Sequence, residues 1–255
     1  MLLLLVALGI TAQSDSLRPR SVYRLSLAAD APVTLISTLG IVVPYALAGR
    51  LITPRCPCNP QEVNGFDRGA IGNENPGARR LSDATAGAVM VLPLVLDAVD
   101  IGVNDVWAAD AEVFTETLVV NGALVTAAKY IVQRPLPRTY AGDPNLINQP
   151  GGYRSFYSGH TSLVFAGLVA TAMTMRLRYG EKVWPWVVTS VVGTSVAIER
   201  VADGRHFPSD VIVGALMGSA TGIAVPWLHA RAQSRHQRLR FAFARPGGIG
   251  LIYAL

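Results

Sequence analysis

Two of the four histidines lie in short polar runs whose neighbouring residues suit phosphate chemistry. In the run ERVADGRHFPSD, residues 199–210, Arg200 is followed after five residues by His206, and Asp210 comes four positions later. Pro208 suits the first turn of a helix, which places the pair at a helix N-terminus. A carboxylate there can orient one imidazole nitrogen and leave the other as a nucleophile, while an arginine binds phosphate oxygens. The run therefore predicts a nucleophile, its orienter and an anion ligand.

The earlier run, SFYSGHTS at residues 155–162, predicts an anion site at the start of a second helix. Ser158 is a good N-cap for the apolar stretch that follows. The backbone N–H groups of Gly159 and His160 would then converge, with the serine hydroxyl, on an anion. His160 would stand at the edge of that site, where an imidazole can protonate a departing alkoxide.

A basic segment with two prolines, KYIVQRPLPR at residues 129–138, ends another apolar stretch upstream. A basic RP segment, then SGH, then R-x5-H-x3-D resembles the three-part signature of the type 2 phosphatidic acid phosphatase and vanadium haloperoxidase superfamily, over residues 31–228. The resemblance implies that His206 attacks phosphorus to give a phosphohistidine, that Asp210 orients it and that His160 protonates the leaving oxygen. The phosphate ligands that it implies are Lys129, Ser158, Gly159 and Arg200.

The first part of the signature departs from the family pattern at one position. The arginine expected seven residues after Lys129 is replaced by Leu136. Arg134 and Arg138 lie two residues to either side, and we expect Arg134 to compensate, because it precedes the proline turn on the same segment as Lys129. A charge-assisted contact is worth about 1.5–3 kcal/mol, so its loss would slow turnover about ten- to a hundredfold.

The composition limits the classes of partner. The net charge is +5, with 51% hydrophobic and 15% charged residues, which is enough apolar material for one large core or a set of membrane spans. The charge lies on scattered arginines without a lysine-rich run, which favours anionic lipid or phosphate over nucleic acid. Cys56 and Cys58 are too few for a zinc site and too cramped for an easy mutual disulfide, which leaves free or strained thiols, or pairing with another chain, as the alternatives.

Six apolar stretches read as helices from their length and composition, at residues 31–51, 84–101, 112–128, 159–175, 183–198 and 209–228. They predict an all-α fold, a six-helix up-down bundle of the phosphatase and haloperoxidase kind. Alternating directions would bring the three motifs to one end of the bundle. The predicted organisation is a signal-like or leader segment at residues 1–30, the bundle at 31–228 and a basic tail at 229–255.

The family resemblance implies a multi-pass protein of the bacterial inner membrane with its site facing the periplasm. Only the first and last apolar stretches approach twenty uncharged residues, so a soluble periplasmic protein is the alternative. No metal or other cofactor is expected, because the inferred phosphate site contains no cluster of carboxylates or histidines.

The predicted function is a metal-independent phosphatase that hydrolyses a phosphomonoester or diphosphate, on a lipid, through a phosphohistidine. The alternatives are a soluble exported acid phosphatase, a vanadium-dependent haloperoxidase, and a weakened family member, which only Leu136 suggests. Phosphate release without added vanadate would separate the first two from the haloperoxidase. Measurable turnover would remove the weakened member.

Overall fold

The computed structural model describes residues 21–231, which form helices and connecting loops together with an isolated bridge between Tyr23 and Ala230. The helices, in chain order, are α1 (Leu27–Ala46), α2 (Ala48–Leu51), α3 (Gly65–Arg68), α4 (Pro76–Ile101), α5 (Asp105–Val132), α6 (Pro137–Tyr140), α7 (Gly159–Tyr179), α8 (Trp184–Ala202) and α9 (Pro208–His229). The predicted all-α class is confirmed.

The predicted count of six helices is not confirmed as it stands. Within residues 21–231, six helices have 19 residues or more and overlap the six apolar stretches, but the single-turn helices α2, α3 and α6 join them. Helices α3 and α6 fall in loops that the apolar pattern does not mark, whereas α2 is the end of the first apolar stretch, separated from α1 at Leu47. The predicted leader and basic tail lie largely outside the described residues, and α1 begins at Leu27.

Polar caps and left-handed glycines fix the helix ends. The side chains of Asn75, Asn104 and Ser158 accept backbone N–H groups at the starts of α4, α5 and α7. Gly102 and Gly180 end α4 and α7 with φ of 77° and 79°, where glycine is favoured. Short connections therefore reverse the chain after both helices.

The loops that carry the motifs meet at one end of the molecule. The backbone N–H of Arg138 donates to the Gly204 carbonyl at 3.3 Å, and the Asn73 amide donates to the Val201 carbonyl at 3.0 Å. Gly204 has φ of 67°, and a Cβ there would lie 2.0 Å from the Asn73 carbonyl oxygen, so only glycine fits this contact. The loops before α4, after α5 and after α8 are thus held together.

Helices α7 and α9 pack closely because α9 presents a stripe of glycines. A Cβ on Gly214, Gly218 or Gly222 would lie 2.8, 2.2 or 2.6 Å from a backbone carbonyl oxygen of α7 or its N-cap. Small residues at this four-residue spacing let two helix backbones approach. The start of α7 is thereby fixed against the first turns of α9.

Three helices are long and apolar enough to cross a membrane, judged by length and composition: α1, α4 and α9, with mean hydropathy of 1.6, 1.8 and 1.7. Large apolar side chains of these helices lie exposed, among them Leu35, Ile36, Leu92, Leu96 and Leu216. Exposed apolar side chains on long apolar helices are typical of contact with a membrane or with an apolar surface of a partner.

Cys56 and Cys58 form a disulfide with each other, which is the pairing that their close spacing disfavoured. The chain turns at Pro57 and brings their Cα atoms to 4.4 Å, the short limit of the usual range. The hydroxyl of Tyr153 accepts the backbone N–H groups of Arg55 and Cys56, both at 2.9 Å. The disulfide loop is therefore anchored to the segment just before the SGH motif.

Candidate active site

His206 lies in the loop between α8 and α9, and only 5% of its surface is exposed. Its Nδ1 is 2.7 Å from the carbonyl oxygen of Ser155. Since a carbonyl can only accept, Nδ1 carries the proton and Nε2 keeps a lone pair in the neutral ring. Burial, reinforced by the positive charges of Lys129 and Arg200, lowers the pKa of His206 to about 3 despite the nearby Asp210. The ring is therefore neutral at physiological pH, with a lone pair on Nε2.

Asp210 lies in the first turn of α9 and acts on His206 through Ser155. Its Oδ2 accepts the Ser155 hydroxyl at 2.5 Å and the backbone N–H of Phe207 at 2.9 Å. Its closest approach to His206 Nδ1 is 3.9 Å, too long for a hydrogen bond. Ser155 therefore links the two, donating its hydroxyl to Asp210 and accepting from His206. The sequence motif did not assign Ser155 a role.

His160 lies in the first turn of α7, with its Nε2 2.8 Å from Oδ1 of Asp83. The same carboxylate oxygen accepts Arg200 Nη1 at 3.2 Å, and Arg200 Nη1 also donates to the Ser82 hydroxyl at 3.1 Å. Burial first, and then Arg200, lower the pKa of His160 to about 4, while Asp83 opposes that shift. Ser82 and Asp83 belong to α4, far from the motifs in sequence.

Lys129 lies near the end of α5, buried beside the SGH turn. Its Nζ donates to the Arg154 carbonyl at 2.5 Å. A Cβ on Gly159 would lie 3.3 Å from Val125 and 3.8 Å from Lys129 Cε, so the glycine lets α7 begin against this part of α5. Ser158 caps α7 as predicted, with its Oγ accepting the Thr161 N–H at 3.4 Å. The ammonium group and the helix N-terminus thus come together.

Arg134 connects three polar groups beneath His206. Its Nη1 donates to Asp210 Oδ1 at 2.6 Å and to the Ser209 hydroxyl at 2.8 Å, and its Nη2 donates to Asp67 at 2.7 Å. The guanidinium carbon lies 4.0 Å from the centroid of the Phe207 ring. Both terminal nitrogens are therefore engaged by carboxylates, and phosphate binding by Arg134 stays a prediction.

Leu136, which stands where the family pattern has arginine, is buried and leaves no charge at that position. Arg138 pairs with Glu74 at 2.8 Å and with Asp143 at 2.6 Å. Arg154 lies 4.8 Å from the ring centroid of Tyr45 and acts electrostatically on Lys129. Among residues 21–231 no carboxylate pairs with it, so it is a cation near Lys129 whose charge is not neutralised.

The described residues bring all the predicted site residues to one end of the bundle. The charges of Lys129 and Arg200 act on both His160 and His206. Arg200 Nε is buried and has no hydrogen-bond partner among the described residues. An anion with several oxygens would satisfy that donor and offset the buried positive charge. The arrangement can hold a phosphate group between the imidazoles of His160 and His206.

Comparison with known proteins links this site to phosphatases. Residues 113–234 match the PAP2 superfamily, which confirms the resemblance indicated by the three motifs. The chain is 42% identical over 82 residues to the probable diacylglycerol pyrophosphate phosphatase 1 of Schizosaccharomyces pombe (29% of each chain). It is 33% identical over 115 residues to the lipid A 1-phosphatase of Porphyromonas gingivalis (44% of this chain, 22% of the relative).

A third relative, the undecaprenyl-diphosphatase of Sulfolobus acidocaldarius, is 28% identical over 103 residues, or 40% of this chain and 47% of the relative. The chain therefore spans less than half the length of each of these three proteins. The matched segment includes the predicted site residues from Lys129 to Asp210.

Proposed function

We propose that the chain is a metal-independent phosphatase that hydrolyses a phosphomonoester or diphosphate through a phosphohistidine, since residues 113–234 match the PAP2 superfamily. One observation supports this most directly. His206 is a buried neutral imidazole whose Nδ1 is held by the Ser155 carbonyl at 2.7 Å, which leaves Nε2 as a lone pair beside the charges of Lys129 and Arg200.

In the first step, Nε2 of His206 attacks phosphorus, and the bond between phosphorus and the leaving oxygen breaks. His160 supplies the proton to that oxygen, which leaves as an alcohol or a phosphate. The positive charge that develops on the His206 ring is stabilised by the Ser155 carbonyl and by the Asp210 carboxylate behind it. In the second step, His160 takes a proton from water, which attacks the phosphohistidine, releases inorganic phosphate and regenerates neutral His206.

The phosphoryl oxygens would be bound by Lys129, Arg200, the Ser158 hydroxyl and the backbone N–H groups at the start of α7. A helix N-terminus favours anions, and Arg200 Nε offers a buried donor that no described residue uses. Arg134 is predicted from sequence to add a further ligand. Its contacts support a second role for it, which is to hold Asp210 in place.

A lipid substrate is supported by an apolar groove between α4, α7 and α8. The groove has a volume of about 680 Å³ and begins at Thr85, two residues beyond Asp83 on α4. It extends along the bundle past Leu92, Leu96, Leu168, Val188 and Val192. At Thr85 the groove comes within one helical turn of Asp83, the carboxylate that pairs with His160. The printed names of the three relatives, on diacylglycerol pyrophosphate, lipid A and undecaprenyl diphosphate, favour the same class.

We propose that α1, α4 and α9 embed the chain in a membrane in the predicted multi-pass arrangement, with the site facing the periplasm. Their exposed apolar side chains would be poorly suited to a soluble periplasmic protein. The disulfide between Cys56 and Cys58 lies at the site end, since Tyr153 anchors it. Disulfides persist in oxidising compartments, which supports an outward-facing site.

The test is release of inorganic phosphate by the full chain purified in detergent. The substrates are phosphatidate, a polyprenyl diphosphate, lipid A and a soluble phosphoester, each assayed without vanadate and with and without EDTA. We expect turnover that is highest on a lipid, survives EDTA and is inhibited by vanadate. Absence of phosphate release would refute the assignment, and loss on chelation that a divalent ion restores would refute the metal-independent mechanism.

A further inference from the structure

A second cluster of ionisable side chains lies at the end of the bundle opposite the candidate active site. It consists of Asp30 on α1, Glu116 on α5 and His229, the last residue of α9. Asp210 lies in the first turn of α9, so a helical rise of 1.5 Å per residue separates it from His229 by about 29 Å. We call these three residues the distal cluster. None of them takes part in the proposed hydrolysis.

The spacing of the three side chains suits a small divalent cation. His229 Nε2 lies 3.3 Å from Asp30 Oδ1 and 3.7 Å from Glu116 Oε2, and one ligand atom from each residue lies within 4.8 Å of the others. In a tetrahedral zinc site, bonds of about 2.0–2.1 Å place neighbouring ligand atoms about 3.3–3.4 Å apart. Small side-chain adjustments would therefore bring all three into one coordination sphere.

His229 and Asp30 each use one polar atom in a hydrogen bond to the backbone, and the other polar atom faces the cluster. His229 Nδ1 lies 2.9 Å from the Val225 carbonyl oxygen, so Nδ1 carries the proton and the neutral ring keeps its lone pair on Nε2. Backbone carbonyls commonly orient metal-binding histidines in this way. Asp30 Oδ2 accepts the Ser26 N–H at 2.7 Å, which leaves Oδ1 turned toward His229.

Glu116 gives an independent indication that a cation belongs here. The residue is 5% exposed, and its Oε2 is buried without a hydrogen-bond partner in the described part of the chain. A buried carboxylate with no donor is unfavourable unless a positive charge faces it. Asp30 and Glu116 place two carboxyl groups within reach of the same point, so a cation held there would satisfy both.

We propose that Asp30, Glu116 and His229 bind one Zn²⁺ ion that ties α1, α5 and α9 together at this end of the bundle. One imidazole and two carboxylates form a ligand set that zinc accepts, with water completing the coordination. The role is structural, because the three helices come from distant parts of the sequence. A metal-free cluster with a doubly protonated His229 between the two carboxylates would have no affinity for the ion.

The experiment uses the full chain in detergent, with any affinity tag removed and metal stripped by EDTA. Zn²⁺ is titrated calorimetrically, and thermal unfolding is followed with and without the ion. We expect one Zn²⁺ per chain and a Tm that rises with Zn²⁺, because the ion binds the folded state. Glu116→Gln, which keeps the side-chain volume, should weaken binding by at least about tenfold.

Glu112→Gln is the matched control, because this exposed carboxylate lies one turn before Glu116 on the same helix. It should bind Zn²⁺ as the parent does. His229→Ala gives a second disruption should Glu116→Gln fail to fold. No saturable binding by the parent, or equal binding by the parent and Glu116→Gln, would overturn the proposal. Phosphate release at temperatures below unfolding should not depend on Zn²⁺, which keeps this test separate from that of the proposed function.

Discussion

Replacing Asp83 by asparagine should move the pH profile of turnover, because this carboxylate faces the proposed proton donor. Asp83 Oδ1 lies 2.8 Å from His160 Nε2. A negative charge at that distance stabilises the protonated imidazole and opposes the lowering of the His160 pKa by burial and by Arg200. The asparagine keeps the size of the side chain and removes the charge.

The magnitude follows from one charge-assisted hydrogen bond. Such a bond is worth about 1.5–3 kcal/mol, and 1.36 kcal/mol corresponds to one pKa unit. Half of the Asp83 side chain is exposed, at 52%, so solvent screening favours the lower part of that range. We therefore expect the His160 pKa to fall by about one unit. Because the acid step needs protonated His160, the alkaline fall in kcat should move to lower pH by about one unit.

The assay measures kcat against pH for the parent, Asp83→Asn and Asp105→Asn. Asp105 is the control, since it is an exposed aspartate in the first turn of α5, at the end of that helix opposite Lys129. A substrate with a good leaving group needs little protonation, so the shift should shrink with it. An alkaline limb that stays in place, or moves to higher pH, in Asp83→Asn would refute the assignment of His160 as the acid.

Three further predictions concern the nucleophile, the basic segment and the helix contact. His206→Ala should abolish turnover, whereas His160→Ala should still form a phosphoenzyme from substrates with good leaving groups; an active His206→Ala protein would contradict the nucleophile assignment. Arg134→Lys should lower kcat about ten- to a hundredfold at unchanged KM if Arg134 holds Asp210, and a raised KM would instead indicate phosphate binding. Gly218→Ala should cost about 1–3 kcal/mol of stability and lower the Tm, because its Cβ would lie 2.2 Å from the Ser162 carbonyl; an unchanged Tm would contradict this packing.

The residues that sequence identified are those whose roles follow from local spacing. Ser158 could be predicted as an N-cap because capping depends on a serine before an apolar run, and the structure shows that hydrogen bond. The meeting of three motif segments at one end also followed from alternating helix directions. These features can be inferred from the order of the motifs along the chain and from the periodicity of a helix.

The residues that sequence missed depend on packing between distant segments. Asp83 lies on α4 with no motif around it, and only the approach of α4 to α7 and α8 brings it to His160 and Arg200. Ser155 connects Asp210 to His206 through its hydroxyl and carbonyl, a contact that needs the loop conformation. The disulfide between Cys56 and Cys58 likewise depends on a turn that the composition does not encode.

The compensation for Leu136 can be tested directly, because the structure offers two arginines with different surroundings. Arg134 is engaged by Asp67 and Asp210, whereas Arg154 lies beside Lys129 without a carboxylate partner among residues 21–231. If Arg154 supplies the missing charge, Arg154→Ala should raise KM about ten- to a hundredfold.

In that case Leu136→Arg should improve the parent little and restore binding to Arg154→Ala, since one cation can replace the other. Arg50→Ala is a suitable control, because it removes an arginine from the short helix α2. If Arg154→Ala binds substrate normally and Leu136→Arg raises kcat/KM in the parent, then neither Arg134 nor Arg154 supplies the positive charge that is missing at Leu136.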